Sequence, residues 1–214
     1  PGTKGNKGRL SFNFGGDLRY YYPIYKNFIW AGRAAADFSW GDRKIVYYLG
    51  GVENWLFFNR NKKQYNEEPR PIDPTYAYQS LAVNMRGFLQ NTSNGNNTVL
   101  LNSEFRFPVF ATLLNRPINN AFLRNLQLVQ FTDLGTAWNG TYNKIKRPQL
   151  VYNNEDNNVS VLIKAPGIGP FIGGYGFGAR STLLGYFMRF DVAWPMNGFF
   201  KGKPITYLSM GIDF

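Results

Sequence analysis

Histidine and cysteine are both absent from this 214-residue chain, so any chemistry would fall to carboxylates, hydroxyls or lysines. Thiol nucleophiles, histidine general bases, disulfide frameworks and the common zinc sites are excluded together. Two carboxylates stand out, Glu104 and Asp133, each in the middle of a segment that alternates like a strand. A facing pair of carboxylates is the equipment of a glycosidase. The same two groups could instead hold a guanidinium, because an arginine fork accepts two carboxylates when water is partly excluded. Arg86, within Met85-Arg86-Gly87-Phe88, is an arginine with glycine and aromatic neighbours in a long loop. No metal or cofactor is expected.

The elements that must carry these residues are strands. The chain ends Pro204-Ile205-Thr206-Tyr207-Leu208-Ser209-Met210-Gly211-Ile212-Asp213-Phe214. Successive strand side chains point to opposite sides. Thr206, Leu208, Met210, Ile212 and Phe214 therefore share one mostly apolar face, and Tyr207, Ser209, Gly211 and Asp213 the other. Lipid on one side and a wet lumen on the other would suit such a strand.

Six further strands follow from period-two alternation. The first spans about 9 to 22 and reverses over Pro23 to Asn27. The second, about 28 to 40, sets Phe28, Trp30, Phe38 and Trp40 against Arg33, Asp37 and Ser39. The third, about 99 to 108, separates Leu101, Phe105 and Phe107 from Asn102, Glu104 and Arg106. The fourth, about 125 to 138, carries Asp133. The fifth, 173 to 182, alternates glycine with Tyr175, Phe177 and Ala179, and glycines on an inner face let another chain approach the wall closely. The sixth opposes Tyr186, Met188, Phe190, Val192 and Trp194 to Phe187, Arg189, Asp191 and Ala193.

Composition agrees with a membrane barrel. Aromatics make up 18% of the chain, yet mean hydropathy is only −0.33, because the lumen side of each strand dilutes the apolar side. No apolar run approaches the roughly 20 residues of a membrane helix. The net charge of +11 raises the question of nucleic acid, but Lys and Arg are dispersed among Asn, Tyr and Gly. Contact with anionic lipid or lipopolysaccharide is the expectation, and no nucleic-acid partner is expected.

Two segments, 41–97 and 140–172, are longer than ordinary connections and are expected to be extracellular or lumen loops. The Asn91 to Asn97 run contains glycosylation-like triplets, more simply exposed polar loop. Seven strands are odd in number and too few to close, so two edges would stand open in lipid. No signal peptide precedes the strands. The chain is therefore expected to be the C-terminal portion of one longer barrel, with the N-terminal strands and any periplasmic domain outside it.

Met85-Arg86-Gly87-Phe88 resembles the lumen-loop motif of the BamA/TamA-like outer-membrane protein assembly superfamily, the bacterial surface antigen family. Segments after it match in order: 102–108, 131–138, Gly176-Phe177-Gly178-Ala179-Arg180, and Leu184-Gly185 with 189–195. An isolated Arg-Gly-Phe would carry no weight, whereas the ordered set covers nearly the whole chain. Leu49-Gly50-Gly51-Val52-Glu53-Asn54-Trp55 and Leu183 to Phe187 are most similar to Bacteroidota members that carry a TolB-like β-propeller. The sequence departs from simpler members in the long insertion between Leu49-Gly50-Gly51 and Met85, which includes the charged stretch Arg60 to Arg70.

The resemblance implies an all-β, transmembrane antiparallel barrel of sixteen strands in the bacterial outer membrane, this chain supplying about seven. It implies that Arg86 reaches into the lumen and pairs with Glu104 and Asp133. Taken on their own, those carboxylates could equally be solvated wall residues. It further implies assembly or translocation of client outer-membrane or surface proteins through a weak seam, which here would be 205–214, with accessory lipoproteins or periplasmic factors as further partners. Tyr207, Gly211, Ile212 and Phe214 would carry the terminal insertion signal. The rival reading is a passive pore, or a structural barrel anchoring another domain. Neither is an enzyme.

Overall fold

A computed structural model describes residues 10–56, 76–81, 84–114, 117–142, 145, 149–154, 159–198 and 200–211. Its strands in chain order are β1 (Ser11–Tyr25), β2 (Phe28–Gly41), β3 (Lys44–Leu49), β4 (Tyr76–Leu81), β5 (Ser93–Gly95), β6 (Asn97–Pro108), β7 (Gln127–Trp138), β8 (Gln149–Asn154), β9 (Val159–Lys164), β10 (Gly167–Ile168), β11 (Phe171–Leu183), β12 (Tyr186–Pro195) and β13 (Ile205–Gly211). Two short helices, α1 (Val109–Leu113) and α2 (Ala121–Arg124), join β6 to β7.

The seven long strands form one antiparallel sheet in the order β1-β2-β6-β7-β11-β12-β13, which is the order of the chain. Each pairs with the next at a single register over most of its length. The protein is all-β, and among the described residues no helix is long and apolar enough to cross a membrane. The sheet is open, with β1 and β13 as its two ends.

Alternation sorts the side chains into two faces. One carries Leu18, Phe14, Leu101, Phe105, Leu128, Phe177, Phe190 and Met210, all exposed. Aromatic contacts mark its two ends. Phe38 stacks on Trp40 at 5.9 Å and Tyr175 on Trp194 at 6.2 Å. Phe28 stacks on Phe105 at 6.0 Å toward the opposite end. The other face carries Leu100, Val129, Phe131, Ala193 and Tyr207, all buried, because the 41–97 segment lies over them.

The described parts of that segment contain strands of their own. β3 pairs with β5 antiparallel and with β4 in parallel. The 140–172 segment likewise holds the β8–β9 hairpin and β10, which pairs with β11. One correction concerns the first turn. β1 runs through Pro23, which stands opposite Ile29, and reverses only at Lys26 and Asn27. A proline is tolerated there because the register shifts between Pro23 and Tyr25, and such irregularities are among the few places in a sheet that admit one. Between β11 and β12 the turn is two residues, Leu184 and Gly185, both at positive φ. That is the conformation a tight hairpin with right-handed strand twist requires.

Candidate functional site

The covering segment is tied down at its middle. Gly50 and Gly51 both sit at positive φ, and a side chain on Gly50 would meet the Leu89 carbonyl. With both residues free of Cβ atoms, the chain folds against Met85 to Leu89. The Met85 N–H donates to the Gly51 carbonyl at 3.0 Å and the Gly51 N–H donates to the Phe88 carbonyl at 3.1 Å. Leu49, Met85 and Phe88 then pack in one apolar cluster with Leu100, Ala137, Ala165 and Ile172. The insertion after Leu56 therefore leaves Leu49-Gly50-Gly51 and Met85 to Phe88 side by side.

This pairing drives Arg86 into the wall. Its guanidinium is buried and grips Asp133 with two hydrogen bonds, Nε to Oδ2 at 2.7 Å and Nη2 to Oδ1 at 2.8 Å. The Arg86 backbone N–H donates to the same Oδ2 at 3.1 Å. Nη2 lies 2.9 Å from Glu104 Oε1. The guanidinium plane rests over the Phe131 ring, 3.6 Å from its centroid. Burial by itself would lower the Arg86 pKa, but the carboxylates of Asp133, Glu104 and Asp191 outweigh it and raise that pKa above the ordinary arginine value. The side chain is charged at any pH a cell meets.

Glycines open the space it needs. A Cβ on Gly174 would lie 1.9 Å from the Arg86 carbonyl oxygen, and one on Gly176 would lie 2.7 Å from the Phe131 ring. Gly87, at φ +92°, brings its own backbone against Gly174 and Trp194. The alternating glycines of β11 thus face inward, and the loop backbone occupies the room they leave.

The structure brings Arg86, Glu104 and Asp133 together, and it adds members that pattern reading did not pair with them. Asp191 on β12 lies 3.6 Å from Arg86 and 3.3 Å from Arg189. Glu104 is shared by Arg86, Arg106 and Arg180. Asn102 donates to Asp133 at 2.8 Å. Alternation sets Arg106, Arg189 and Asp191 on the polar faces of their strands, but their convergence on the Arg86 cluster depends on register across β6, β7, β11 and β12.

Tyr207, expected as part of the terminal signal and the seam, is the largest fully buried side chain among the described residues. Its hydroxyl donates to the Phe88 carbonyl at 2.7 Å and accepts from the Gly87 N–H at 3.0 Å. The final strand therefore holds the same loop that Arg86 anchors. Gly211 ends β13 opposite Phe187, while Ile212 and Phe214 lie outside the described residues.

Chemically, this is a clamp, in which both carboxylates are engaged by arginine. Among the described residues no group of three or more histidine, cysteine or acidic side chains is placed to hold a metal. No family model matches the sequence, and no curated protein matches it significantly.

Proposed function

We propose that this chain is the C-terminal wall of an outer-membrane β-barrel that assembles or translocates client proteins. The observation that carries the reading is the double fastening of one lumen loop. Arg86 fixes it to β6, β7 and β12, and Tyr207 fixes it to β13. A passive wall has no need to bring its last strand under the control of an internal loop. A barrel whose last strand must give way and re-form does.

Membrane location is supported by the outward face. A sheet that exposes large apolar side chains on every one of its seven strands has more apolar surface than a soluble monomer leaves bare, and the aromatic contacts at its two ends suit the interfacial girdles of such barrels. Outer-membrane lipid and lipopolysaccharide would cover that face. Client strands and accessory lipoproteins or periplasmic factors would meet the seam. Strand pairing and client burial supply the energy, since an exposed strand edge bonds an incoming strand directly.

Depletion of the full-length protein in its native bacterium, followed by quantitative proteomics of outer-membrane and surface proteins, tests the reading. Loss of many barrels, or of one exported class, supports it. An unchanged proteome with altered small-solute permeability favours the passive pore or anchor.

A further inference from the structure

We propose that the arginine-lined cavity on the inner face of β2, β6, β11 and β12 binds a phosphate group, gripped by Arg33, Arg106, Arg180 and Arg189. The inference takes that face to be a lumen and does not rest on the assembly role.

The cavity measures about 130 Å³, and its lining includes six arginines, Arg19, Arg33, Arg86, Arg106, Arg180 and Arg189, against one carboxylate, Glu104. Strand register sets like charges face to face. Arg19 stands opposite Arg33 between β1 and β2, and Arg180 stands opposite Arg189 between β11 and β12. Like charges directly across a ladder repel each other, so a wall shaped for stability alone would avoid both pairs. The other carboxylates that balance these arginines, Asp17, Asp133 and Asp191, do not line the cavity. A ligand entering it therefore meets guanidiniums.

Arg180 adds an unmet donor. Its side chain is only 8% exposed and its Nη2 donates to Glu104 at 2.6 Å, yet its Nε has no hydrogen-bond partner among the described residues. A buried donor without an acceptor costs free energy, and this one belongs to a residue of the cavity wall. Arg106 is held ready beside it, with Glu104 Oε2 at 2.8 Å and the Tyr21 ring 5.5 Å from its guanidinium carbon. All four gripping arginines stand on strands paired at both edges, so the floor of the cavity is complete within the described wall.

Guanidinium forks match carboxylate and phosphate oxygens alike. The place for a planar carboxylate is already filled by Glu104, whose charge is spread over Arg86, Arg106 and Arg180. A tetrahedral phosphate presents acceptors in several directions at once, which suits arginines arriving from four strands. Phosphate on a soluble molecule and phosphate on a lipid headgroup offer the same chemistry.

Full-length protein purified in a zwitterionic detergent should bind inorganic phosphate saturably when titrated by calorimetry at constant ionic strength in chloride. Arg180→Gln and Arg106→Gln should each weaken binding on the order of tenfold, the loss of one charge-assisted hydrogen bond. Lys26→Gln, on an exposed turn, should leave the affinity unchanged. Absence of saturable binding, or equal affinity in all these proteins, would overturn the proposal.

Should the arginine variants not fold, the wild type answers alone. Phosphate should slow phenylglyoxal modification of Arg33 and Arg106, both partly exposed, and leave exposed Arg124 on α2 unprotected. Equal rates at Arg33 and Arg106 with and without phosphate would overturn the site. In nanodiscs carrying phosphatidylglycerol, protection without added phosphate assigns a lipid headgroup, and protection only after phosphate is added assigns a soluble ligand. Neither readout passes through client assembly, so an unchanged proteome on depletion removes the assembly reading and leaves this site in place.

Discussion

The Tyr207 hydroxyl donates to the Phe88 carbonyl across 119 residues of chain, and with its bond from the Gly87 N–H it brackets the loop that inserts Arg86. The last strand and the lumen loop are thereby a single mechanical unit. Tyr207→Phe keeps the ring against Trp55 but leaves Gly87 N–H and Phe88 C=O without that partner in a buried place. We expect a loss of about 1–3 kcal/mol, read as earlier loss of heat-modifiable migration on gels.

Arg86→Ala should be more severe. It strips the bidentate partner from Asp133, a side chain with no exposure, and removes the nearest cation but one from Asp191. Leaving buried charge uncompensated costs about 3–5 kcal/mol. Heat-modifiability and client assembly should fall together, and wild-type behaviour in both would sink the clamp.

The two carboxylates should not be equivalent. Asp133 takes two guanidinium bonds, the Arg86 N–H and Asn102, whereas Glu104, also buried, is shared among three arginines. Asp133→Ala is expected to lower unfolding temperature clearly more than Glu104→Ala does. The reverse order would mean that the loop is held mainly from β6.

Gly174→Ala tests the close approach without touching charge. Its methyl would fall on the Arg86 carbonyl, and overpacking of this kind costs about 1–3 kcal/mol. Gly16→Ala is the control, since nothing lies within 4 Å of a Cβ there. Proteolysis of the 41–97 segment should accelerate in the first variant and remain unchanged in the second.

The wall strands were legible because a sheet with an apolar outer face and a polar inner face writes its period into the sequence. That parity set Glu104 opposite Leu101, Phe105 and Phe107, whereas the less regular fourth strand gave no faces and the inward place of Asp133 followed only from the resemblance. The small sheets over the wall were not legible. β5 has three residues, and β3 pairs in parallel with β4 across an insertion, so neither has a local pattern to read. Asp191 and Tyr207 lay on the inner face in both sequence and structure, but what they touch depends on strand register and on the loop's path, which alternation does not encode.

The most direct measurement is the outer-membrane proteome of depleted native cells that carry either the wild-type protein or Arg86→Ala at equal abundance in the membrane. The clamp and the assembly role together predict recovery of client proteins with wild type and continued loss with Arg86→Ala. Equal client levels with both proteins would contradict the account.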